Sequence, residues 1–348
     1  MLPRERIKAA LAFRPVDMVP LQIHPSPGGL FEHGQKLLDL MRRCGHDFDD
    51  LSHLSVPRPP PEDFDADGRY HRIATDEWGV TWEYRLYGVW GYRIGYPLAD
   101  ISRLDTYRPP AIKRLAGDEL ARARAAGEAH RQKYYHLIGG VSIFETMQSL
   151  RPFEDVLIDI MHDTPAINRL ADMLVEYNAA IVENALAVGA DAIAVGDDFG
   201  TQRALMMAPG VWRRFFKPRY RALLEPARRA GMAIFFHSCG YIEPLLEDLA
   251  DLGANAIWPQ LPLFDHRELA RRCRALRLAV QLHPDRGELM QRGTPAQVRD
   301  YVLRLVDEFA TLDGGSWLYV EIDPGFPWPN VQALLETALQ LRNTEKHP

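Results

Sequence analysis

The sequence is poor in cysteine, with Cys44, Cys239 and Cys273 as the only three in a chain of 348 residues. An odd number of widely spaced cysteines excludes the disulfide framework that stabilises small secreted proteins. The opening residues, MLPRERIKAALAFRPVD, are charged and lack the apolar segment of a secretory signal. We therefore expect a reducing compartment, the cytoplasm.

Long apolar runs and an excess of positive charge are also missing. No window approaches the roughly 18 uninterrupted apolar residues of a membrane-spanning helix. The formal net charge is −6, with basic residues spread along the chain, which argues against nucleic acid or an anionic membrane as a partner. A hydrophobic content of 47% and a charged content of 25% are ordinary for a globular protein with a sizeable core.

Three consecutive segments share one pattern, in which a long helical stretch is followed by a glycine and a short apolar run ending in polar residues. The glycines are Gly189, Gly231 and Gly253, and the runs after them are ADAIAVGDDFG, MAIFFHSCG and ANAIWPQ. Glycine suits the left-handed position after a helix, and short apolar runs are typical of buried parallel strands. The pattern predicts alternating helices and strands.

The same alternation extends in both directions along the chain. The predicted strands lie in VPLQIH (19–24), FDDLSHL (48–54), HLIGGVSIFE (136–145), 190–200, 232–240, ANAIWPQ (254–260), LRLAVQLHP (276–284) and WLYVEID (317–323). In the helix that begins TPAQVRDYV, we expect Thr294 to cap and Pro295 to occupy the first turn. Eight parallel strands predict a (β/α)8 TIM barrel first and a doubly wound sheet second, with residues 1–348 as one barrel domain that has an N-terminal helical segment.

Residues 57–110 interrupt the alternation. PRPPPEDFDADG is typical of a loop, and the aromatic, glycine-punctuated stretch at 70–98 predicts a β-hairpin. Two interpretations stay open: a lid over the mouth of the barrel, or a hairpin packed outside it. The aromatic alternation around Trp90 is more typical of hairpin packing than of ligand stacking, but Trp90 is a candidate substrate-binding residue.

Polar residues follow nearly every predicted strand, where the active site of a (β/α)8 barrel lies. The candidate acid/base residues are Asp197, Asp198, His24 and His283, and the candidate substrate-binding residues, besides Trp90, are Glu145, Gln202 and Gln260. Adjacent carboxylates raise one another's pKa and suit proton transfer, although Asp197 and Asp198 could equally cap a helix or bind Arg203. The two histidines could instead be satisfied hydrogen-bonding residues.

The strongest motif is His237-x-Cys239 at the end of GMAIFFHSCG. Side chains two residues apart on a strand project to the same side, and an imidazole with a thiolate suits zinc. Cys44 and Cys273 fall in helical patterns, so we expect a carboxylate as third ligand, from Glu321, Asp323 or Asp197. The alternative is that Cys239 is simply a small apolar side chain.

Several stretches together resemble the uroporphyrinogen decarboxylase superfamily, in its methyltransferase-like branch. They are RERIKAALAFRPVDMVPL, DAIAVGDDFGTQRALMMAPGVWRRFFKPRYRALL, GMAIFFHSCG, IWPQLPLFD, LMQRGTPAQVRDYVLRLV and FPWPNVQALLETA. The resemblance covers almost the whole chain and implies a (β/α)8 barrel. It also implies a homodimer.

The resemblance does not extend to the decarboxylases themselves. These carry an Arg-Gln-Ala-Gly-Arg-Tyr type motif after the first strand, whose arginines bind the acidic side chains of the porphyrinogen. The matching stretch here, LQIHPSPGGLF, contains no arginine. A substrate with many carboxylates would lose a principal cationic partner, which argues against uroporphyrinogen as substrate.

The methyltransferase-like branch uses zinc to move a methyl group between a corrinoid protein and a thiol or methoxyl-type small molecule. Its H-x-C pair is matched by His237 and Cys239, and its third ligand, commonly a cysteine near the last strand, is replaced here by Glu321 or Asp323 in YVEIDPGFPWPN. The D-x-H-x-x-G motif of corrinoid-binding proteins is missing from the sequence, so the resemblance implies that cobalamin arrives on a separate protein.

Three hypotheses follow from these observations. The first is a zinc-dependent methyltransferase with His237, Cys239 and Glu321 as ligands. The second is a metal-free decarboxylase or lyase acting on a small carboxylated substrate, in which carboxylates and histidines move protons. The third, a ligand-binding barrel without activity, is disfavoured because an unneeded cluster of ionisable groups destabilises a protein through repulsion and desolvation.

Overall fold

A computed structural model describes residues 1–343 of the chain. Within them the helices are α1 (Pro3–Leu11), α2 (Pro27–His33), α3 (Gln35–Cys44), α4 (Gly117–Arg131), α5 (Phe144–Leu150), α6 (Phe153–His162), α7 (Pro165–Ala187), α8 (Pro209–Phe215), α9 (Lys217–Arg229), α10 (Leu246–Asp251), α11 (His266–Leu276), α12 (Glu288–Arg292), α13 (Pro295–Glu308) and α14 (Trp328–Asn343). The strands are β1 (Leu21–His24), β2 (Arg72–Thr75), β3 (Thr81–Tyr84), β4 (Tyr92–Gly95), β5 (Leu137–Val141), β6 (Ala192–Gly196), β7 (Ala233–Ser238), β8 (Ala256–Pro259), β9 (Ala279–Leu282) and β10 (Ser316–Glu321).

Seven of these strands form one curled parallel sheet in the order β1-β10-β9-β8-β7-β6-β5. Helices connect successive strands, so the fold is an α/β fold similar to a TIM barrel, as predicted. The helix ends follow the sequence signals: Gly189, Gly231 and Gly253 have positive φ angles of 71°, 71° and 90°. Thr294 forms a capping box with Gln297 at the start of α13, and Pro295 occupies its first turn.

The predicted strand at 48–54 is wrong, because in the described part of the chain this segment is a loop. Backbone groups of this segment bind nearby side chains instead of a neighbouring strand: the N–H of Ser52, together with its hydroxyl, donates to the carboxylate of Asp50. Leu51 has a left-handed φ of 57°, which a strand does not allow. The parallel sheet therefore has seven strands within residues 1–343 rather than eight.

Asp47 bridges the gap that the missing strand leaves between β1 and β5. Its backbone N–H donates to the carbonyl of Leu21, 2.9 Å away, and its carbonyl accepts from the N–H of Tyr135 at 3.0 Å. The buried carboxylate of Asp47 is ion-paired with Arg6 of α1 and Arg342 of α14. A single residue thus joins the two sheet edges, and its side chain holds the first and last described helices together.

The interior of the curled sheet is filled by a layer of large and small side chains. Phe235 and Trp317 pack with Phe48 and Tyr135, while the neighbouring strands contribute alanines. Ile7 of α1 belongs to the same cluster and covers it from the amino-terminal side. Because side chains alternate along a strand, the residue two positions after Phe235 faces the same interior, closer to the carboxyl ends of the strands.

The segment at 57–110 contains the predicted hairpin, extended to a three-stranded antiparallel sheet of β2, β3 and β4. The turn between β3 and β4 packs against α2, where the ring of Tyr87 lies 5.4 Å from that of Phe31. On its other side β4 binds α5 through Arg93. Since α2 follows β1 and α5 follows β5, the insertion spans the gap at the carboxyl-terminal face of the sheet. No helix among residues 1–343 is long and apolar enough to cross a membrane.

Candidate metal and substrate site

The end of β7 brings His237 and Cys239 together at the carboxyl-terminal mouth of the sheet. Both are half-buried, and Sγ of Cys239 lies 3.5 Å from Nε2 of His237. Ser238 between them points the other way, where its hydroxyl accepts from the backbone N–H of Phe199. The strand periodicity that places Phe235 in the interior therefore places both ligand-type side chains above it.

The same periodicity separates the two aspartates after β6. Asp197 is fully buried, and its carboxylate accepts from Ser142 and Tyr220 and from the backbone N–H groups of Ile143 and Glu145. Burial raises the pKa of Asp197, against the effect of these four donors. Asp197 thus joins β6 to the start of α5 from outside the sheet.

Asp198 faces the mouth and completes a cluster with His237 and Cys239. One ligand atom from each of the three residues lies within 4.8 Å of the others. Oδ1 of Asp198 is 3.4 Å from Nε2 of His237 and accepts from the backbone N–H of Cys239 at 2.6 Å. An imidazole nitrogen, a thiol sulfur and a carboxylate oxygen at this spacing could hold a zinc ion with one position left open.

The imidazole of His237 is oriented for metal binding by the next strand. Its Nδ1 lies 2.9 Å from the backbone carbonyl of Trp258, to which it donates. Nε2 then carries the lone pair and faces Asp198 and Cys239, the arrangement that metal-binding histidines commonly show. Burial lowers the pKa of His237, although Asp198 opposes the effect, and this favours the neutral ring.

The Cys239 thiol is held in its neutral form by its surroundings. Burial, and then the negative charge of Asp198, raise its pKa to about 12. A neutral thiol is a weak nucleophile and a poor ligand, so the cysteine needs a cation beside it to become a thiolate. The arrangement therefore suits metal binding better than unassisted nucleophilic catalysis by Cys239.

A close crossing of two loops fixes the backbone next to the cluster. Gly240, with a φ of 79°, lies against Gly200, and a Cβ on Gly240 would come within 2.0 Å of the Gly200 carbonyl oxygen. Gln260 accepts from the N–H of Gly240 at 3.0 Å and exchanges side-chain hydrogen bonds with Gln202. The two predicted substrate-binding glutamines thus lie together, where they hold the loop that follows Cys239.

Glu321, the predicted third ligand, lies outside the three-residue cluster in the described chain. Its carboxylate is 3.4 Å from Arg286 and 3.8 Å from His24. Arg286 also forms two hydrogen bonds with Asp323, at 2.6 and 2.7 Å. Burial raises the pKa of Glu321, and the positive charges of Arg286 and His24 oppose this effect. The side chain of His24 is 53% exposed.

Beside the cluster, the ends of β7 to β10 form an aromatic wall, by which we mean His237, Trp258, His283 and Tyr319. The ring of Trp258 is 4.0 Å from that of His237 and 4.2 Å from that of Tyr319. The indole N–H donates to Nδ1 of His283 at 3.1 Å. The predicted residue His283 thus lies at the mouth, buried beside Trp258.

Glu145 and Trp90 meet the insertion in different ways. The Glu145 carboxylate accepts from Arg93 of β4 at 2.8 Å, and burial raises its pKa while Arg93 opposes the effect. Trp90 is 83% exposed near the tip of the insertion, with its ring 5.6 Å from that of Trp82. Glu145 is therefore bound to the insertion, and Trp90 lies on its surface.

Three residues that contribute to the site escaped the sequence analysis: Trp258, Arg286 and Arg93. Trp258 acts through its backbone carbonyl as well as its ring, and a carbonyl leaves no signature in a sequence. Arg286 comes directly after the stretch LHPD, which ends β9 and begins the next loop, so a search that included loop residues would have found it. Arg93 lies in the inserted sheet, and its partner Glu145 could not be inferred from sequence spacing.

Comparison with known proteins identifies the family. The family described as "Uroporphyrinogen decarboxylase (URO-D)" matches residues 91–340. A methyltransferase from Methanosarcina mazei has a similar structure, with a TM-score of 0.64 at 17% identity, covering 98% of this chain and 99% of that one. A Xanthomonas albilineans dihydropteroate synthase is far less similar, with a TM-score of 0.35 at 13% identity over 57% of this chain and 66% of that one.

No curated protein matches the sequence. The family match covers well over half of the chain, including β5 to β10 and every residue of the metal-type cluster. The chain therefore belongs to the uroporphyrinogen decarboxylase family.

Proposed function

We propose that this protein is a zinc-dependent methyltransferase that moves a methyl group between a corrinoid, carried by a separate protein, and a thiol or methoxyl-type small molecule. The observation that carries the proposal is the convergence of His237, Cys239 and Asp198 at the mouth of the sheet. The methyltransferase from Methanosarcina mazei, similar over nearly the full length of both chains, agrees with this choice within the family.

The donor set fits zinc, with Asp198 in place of the predicted Glu321 as third ligand. Nitrogen, sulfur and oxygen donors are all ligands that zinc accepts, and three protein ligands are typical of catalytic sites. A bound zinc ion would supply Lewis acidity and lower the pKa of a thiol or hydroxyl at its open position. The chain's own contribution is to orient His237 through Trp258 and to place Asp198 against the Cys239 backbone.

Glu321 and His24 are the residues through which we infer that the proton released by such a substrate reaches solvent. This half-buried carboxylate, whose pKa is raised by burial, lies 3.8 Å from the exposed imidazole of His24. A carboxylate that lies beside an imidazole can exchange a proton with it. We infer that Glu321 and His24 exchange the proton, which leaves His237 free for the metal.

The arginines at the mouth disfavour the alternative hypothesis of a metal-free decarboxylase or lyase acting on a small carboxylated substrate. Such an enzyme needs a cation to hold the acid. Arg286 is already paired with Asp323 and Glu321, and Arg93 with Glu145. Among residues 1–343, the guanidinium groups of Arg286 and Arg93 are therefore already bound to carboxylates of the chain itself.

The insertion at 57–110 would act as a lid in this proposal, because it spans the mouth between α2 and α5. A corrinoid carried by another protein must then reach the cluster past the lid. The homodimer that the family resemblance implies stays a prediction.

Elemental analysis of the protein, purified without chelators, tests the proposal together with methyl transfer from methylcobalamin to a panel of thiols and phenols. We expect about one zinc per chain, lost in Cys239→Ala and retained in the control Cys273→Ala, whose thiol is buried in α11. Protein that contains no zinc and takes up none on titration would overturn the metal chemistry.

A further inference from the structure

His283 carries a buried ring nitrogen that has no partner in the described part of the chain. The residue is 7% exposed, and its Nε2 atom lacks a hydrogen-bond partner among residues 1–343. Leaving a buried polar group unpaired costs free energy, so proteins satisfy most such groups with another residue, a water molecule or a ligand. Nε2 of His283 is one of five such side-chain atoms among residues 1–343, and a ligand at the mouth of the sheet would satisfy it.

The tautomer of this ring follows from its neighbour. The indole nitrogen of Trp258 can only donate, and it lies 3.1 Å from Nδ1 of His283. Nδ1 must then accept, so the proton of the neutral ring is on Nε2. Burial, and then the charge of Arg286, lower the pKa of His283 well below its usual value and keep the ring neutral. The unpaired group is consequently an N–H donor.

The position of the ring places this donor in the mouth. His283 follows β9, between Trp258 of β8 and Tyr319 of β10, with ring centroids 5.4 and 4.9 Å away. Trp258 in turn contacts His237 of the metal-type cluster. The donor is therefore on the same aromatic wall as the proposed metal site, one residue removed from it.

We propose that His283 and Trp258 form an oxygen subsite, in which Nε2–H of His283 donates to the oxygen of a methyl ether, or of the alcohol or phenol derived from it, while the apolar part of that molecule lies against Trp258. This inference rests on the proposed function and selects the oxygen compounds from its two substrate classes. Sulfur is a weak hydrogen-bond acceptor, so a thiol or thioether would leave the N–H unsatisfied. Half-buried Trp258 offers only its ring to the ligand, because its N–H is already bonded to His283.

Anisole and thioanisole are suitable probes, because both are neutral and they differ in a single atom. Their binding to the full chain, prepared without zinc or corrinoid, can be measured by NMR titration. We expect His283→Leu to weaken anisole binding roughly five-fold while leaving thioanisole binding nearly unchanged, as for the loss of one neutral hydrogen bond. His283→Gln, which keeps an N–H donor, should restore part of the preference for anisole, and His53→Leu, at an exposed histidine, is the control.

The wild-type protein supplies a second measurement that does not depend on a folded variant. The ¹⁵N resonances of the His283 imidazole should show the proton on Nε2 and should shift at that nitrogen when anisole is added. In Trp258→Phe, which keeps a ring but removes the N–H, the preference for one tautomer should fall.

An anisole-to-thioanisole affinity ratio that is the same in wild type and His283→Leu would overturn the subsite. So would an Nε2 resonance that anisole leaves unmoved, since the occupant of the site would then be water. Because these measurements use neither metal nor cobalamin, a failure here is distinguishable from a failure of zinc binding or methyl transfer.

Discussion

Nε2 of His237 lies 3.4 Å from Oδ1 of Asp198, across the pair formed by β7 and its neighbour β6. The register of these strands explains the contact, because Gly196 at the end of β6 is opposite His237. Asp198 is two residues after Gly196 and therefore at the level of Cys239, whose backbone N–H donates to the Asp198 carboxylate. The three-residue cluster thus follows from the pairing of two adjacent strands.

The identity of the third metal ligand is the first prediction. We expect Asp198→Ala to weaken zinc binding at least about ten-fold, since even residues that only support a metal ligand cost this much. Glu321→Ala should leave zinc affinity unchanged, because Glu321 is bound to Arg286 instead. Competition with a chelator measures both affinities. Loss of zinc in Glu321→Ala with retention in Asp198→Ala would reverse the assignment.

The second prediction concerns Asp197, which we expect to be structural. Asp197→Asn replaces one of two buried acceptor oxygens with a donor that faces other donors, and it should lower the free energy of unfolding by roughly 3 kcal/mol. Tyr220→Phe removes a single donor to Asp197 and should cost about 2 kcal/mol. Chemical denaturation gives both values. Zinc affinity unchanged in folded Tyr220→Phe would separate this network from the metal site, and a stable Asp197→Asn would contradict the prediction.

The third prediction concerns the attachment of the insertion. Arg93 donates to Glu145 and to Ser149, so Arg93→Gln should release β4 from α5 and increase amide exchange in Tyr92–Gly95 about ten-fold. Arg85→Gln is a control in the same insertion, because the exposed Arg85 side chain binds Glu83 and lies over the ring of Tyr92 instead of reaching α5. Equal exchange rates in both variants would show that the Arg93 contacts do not hold the insertion.

The fourth prediction concerns pH and His46, whose Nδ1 accepts from the backbone N–H of Phe48 at 3.2 Å. Burial lowers the pKa of His46 to about 4 in the folded protein, whereas the pKa of a histidine in the unfolded chain is about 6.5. Between these two pH values the imidazole is protonated in the unfolded chain but not in the folded protein. The contribution of His46 to the free energy of unfolding is therefore fully present above about pH 6.5, and it declines as the pH falls toward 4.

A comparison of His46→Gln with wild type isolates this contribution. We expect the stability advantage of wild type to shrink by about 2 kcal/mol between pH 7 and pH 5, because carboxylates shared by both proteins cancel. Denaturation curves at the two pH values measure the change. Parallel loss of stability in both proteins would contradict the prediction.

Strand periodicity explains much of what could be predicted from the sequence. It placed His237 and Cys239 on one side of β7 because their spacing along a single strand suffices for that inference. The helix ends at Gly189, Gly231 and Thr294 were equally local, since a cap depends on a few neighbouring residues.

Relations between strands were harder to predict. The position of Glu321 along β10 predicts that its side chain faces the interior of the sheet. However, β8 and β9 lie between β10 and β7, whereas Asp198 follows β6, which is adjacent to β7. Neighbours in such a sheet are mostly consecutive in sequence, and this rule would have favoured Asp198. The loop at 48–54 was mistaken for a strand because a short segment with three apolar residues follows a predicted helix, as the alternation of helices and strands requires. The hydrogen bonds that Ser52 donates to Asp50 depend on side-chain geometry and could not be predicted.

The pairing of β1 with β10 has a consequence for synthesis on the ribosome. Leu21 is opposite Leu318, so about 300 residues must be translated before β1 acquires the neighbour with which it pairs. The ion pair between Asp47 and Arg342 can form only later, because Arg342 is translated after β10. Until then the nascent chain exposes an unpaired parallel edge, which is prone to aggregation. The β1 edge of a nascent chain is therefore covered only after β10 has left the exit tunnel, and the ion pair of Asp47 is complete only after α14 has done so.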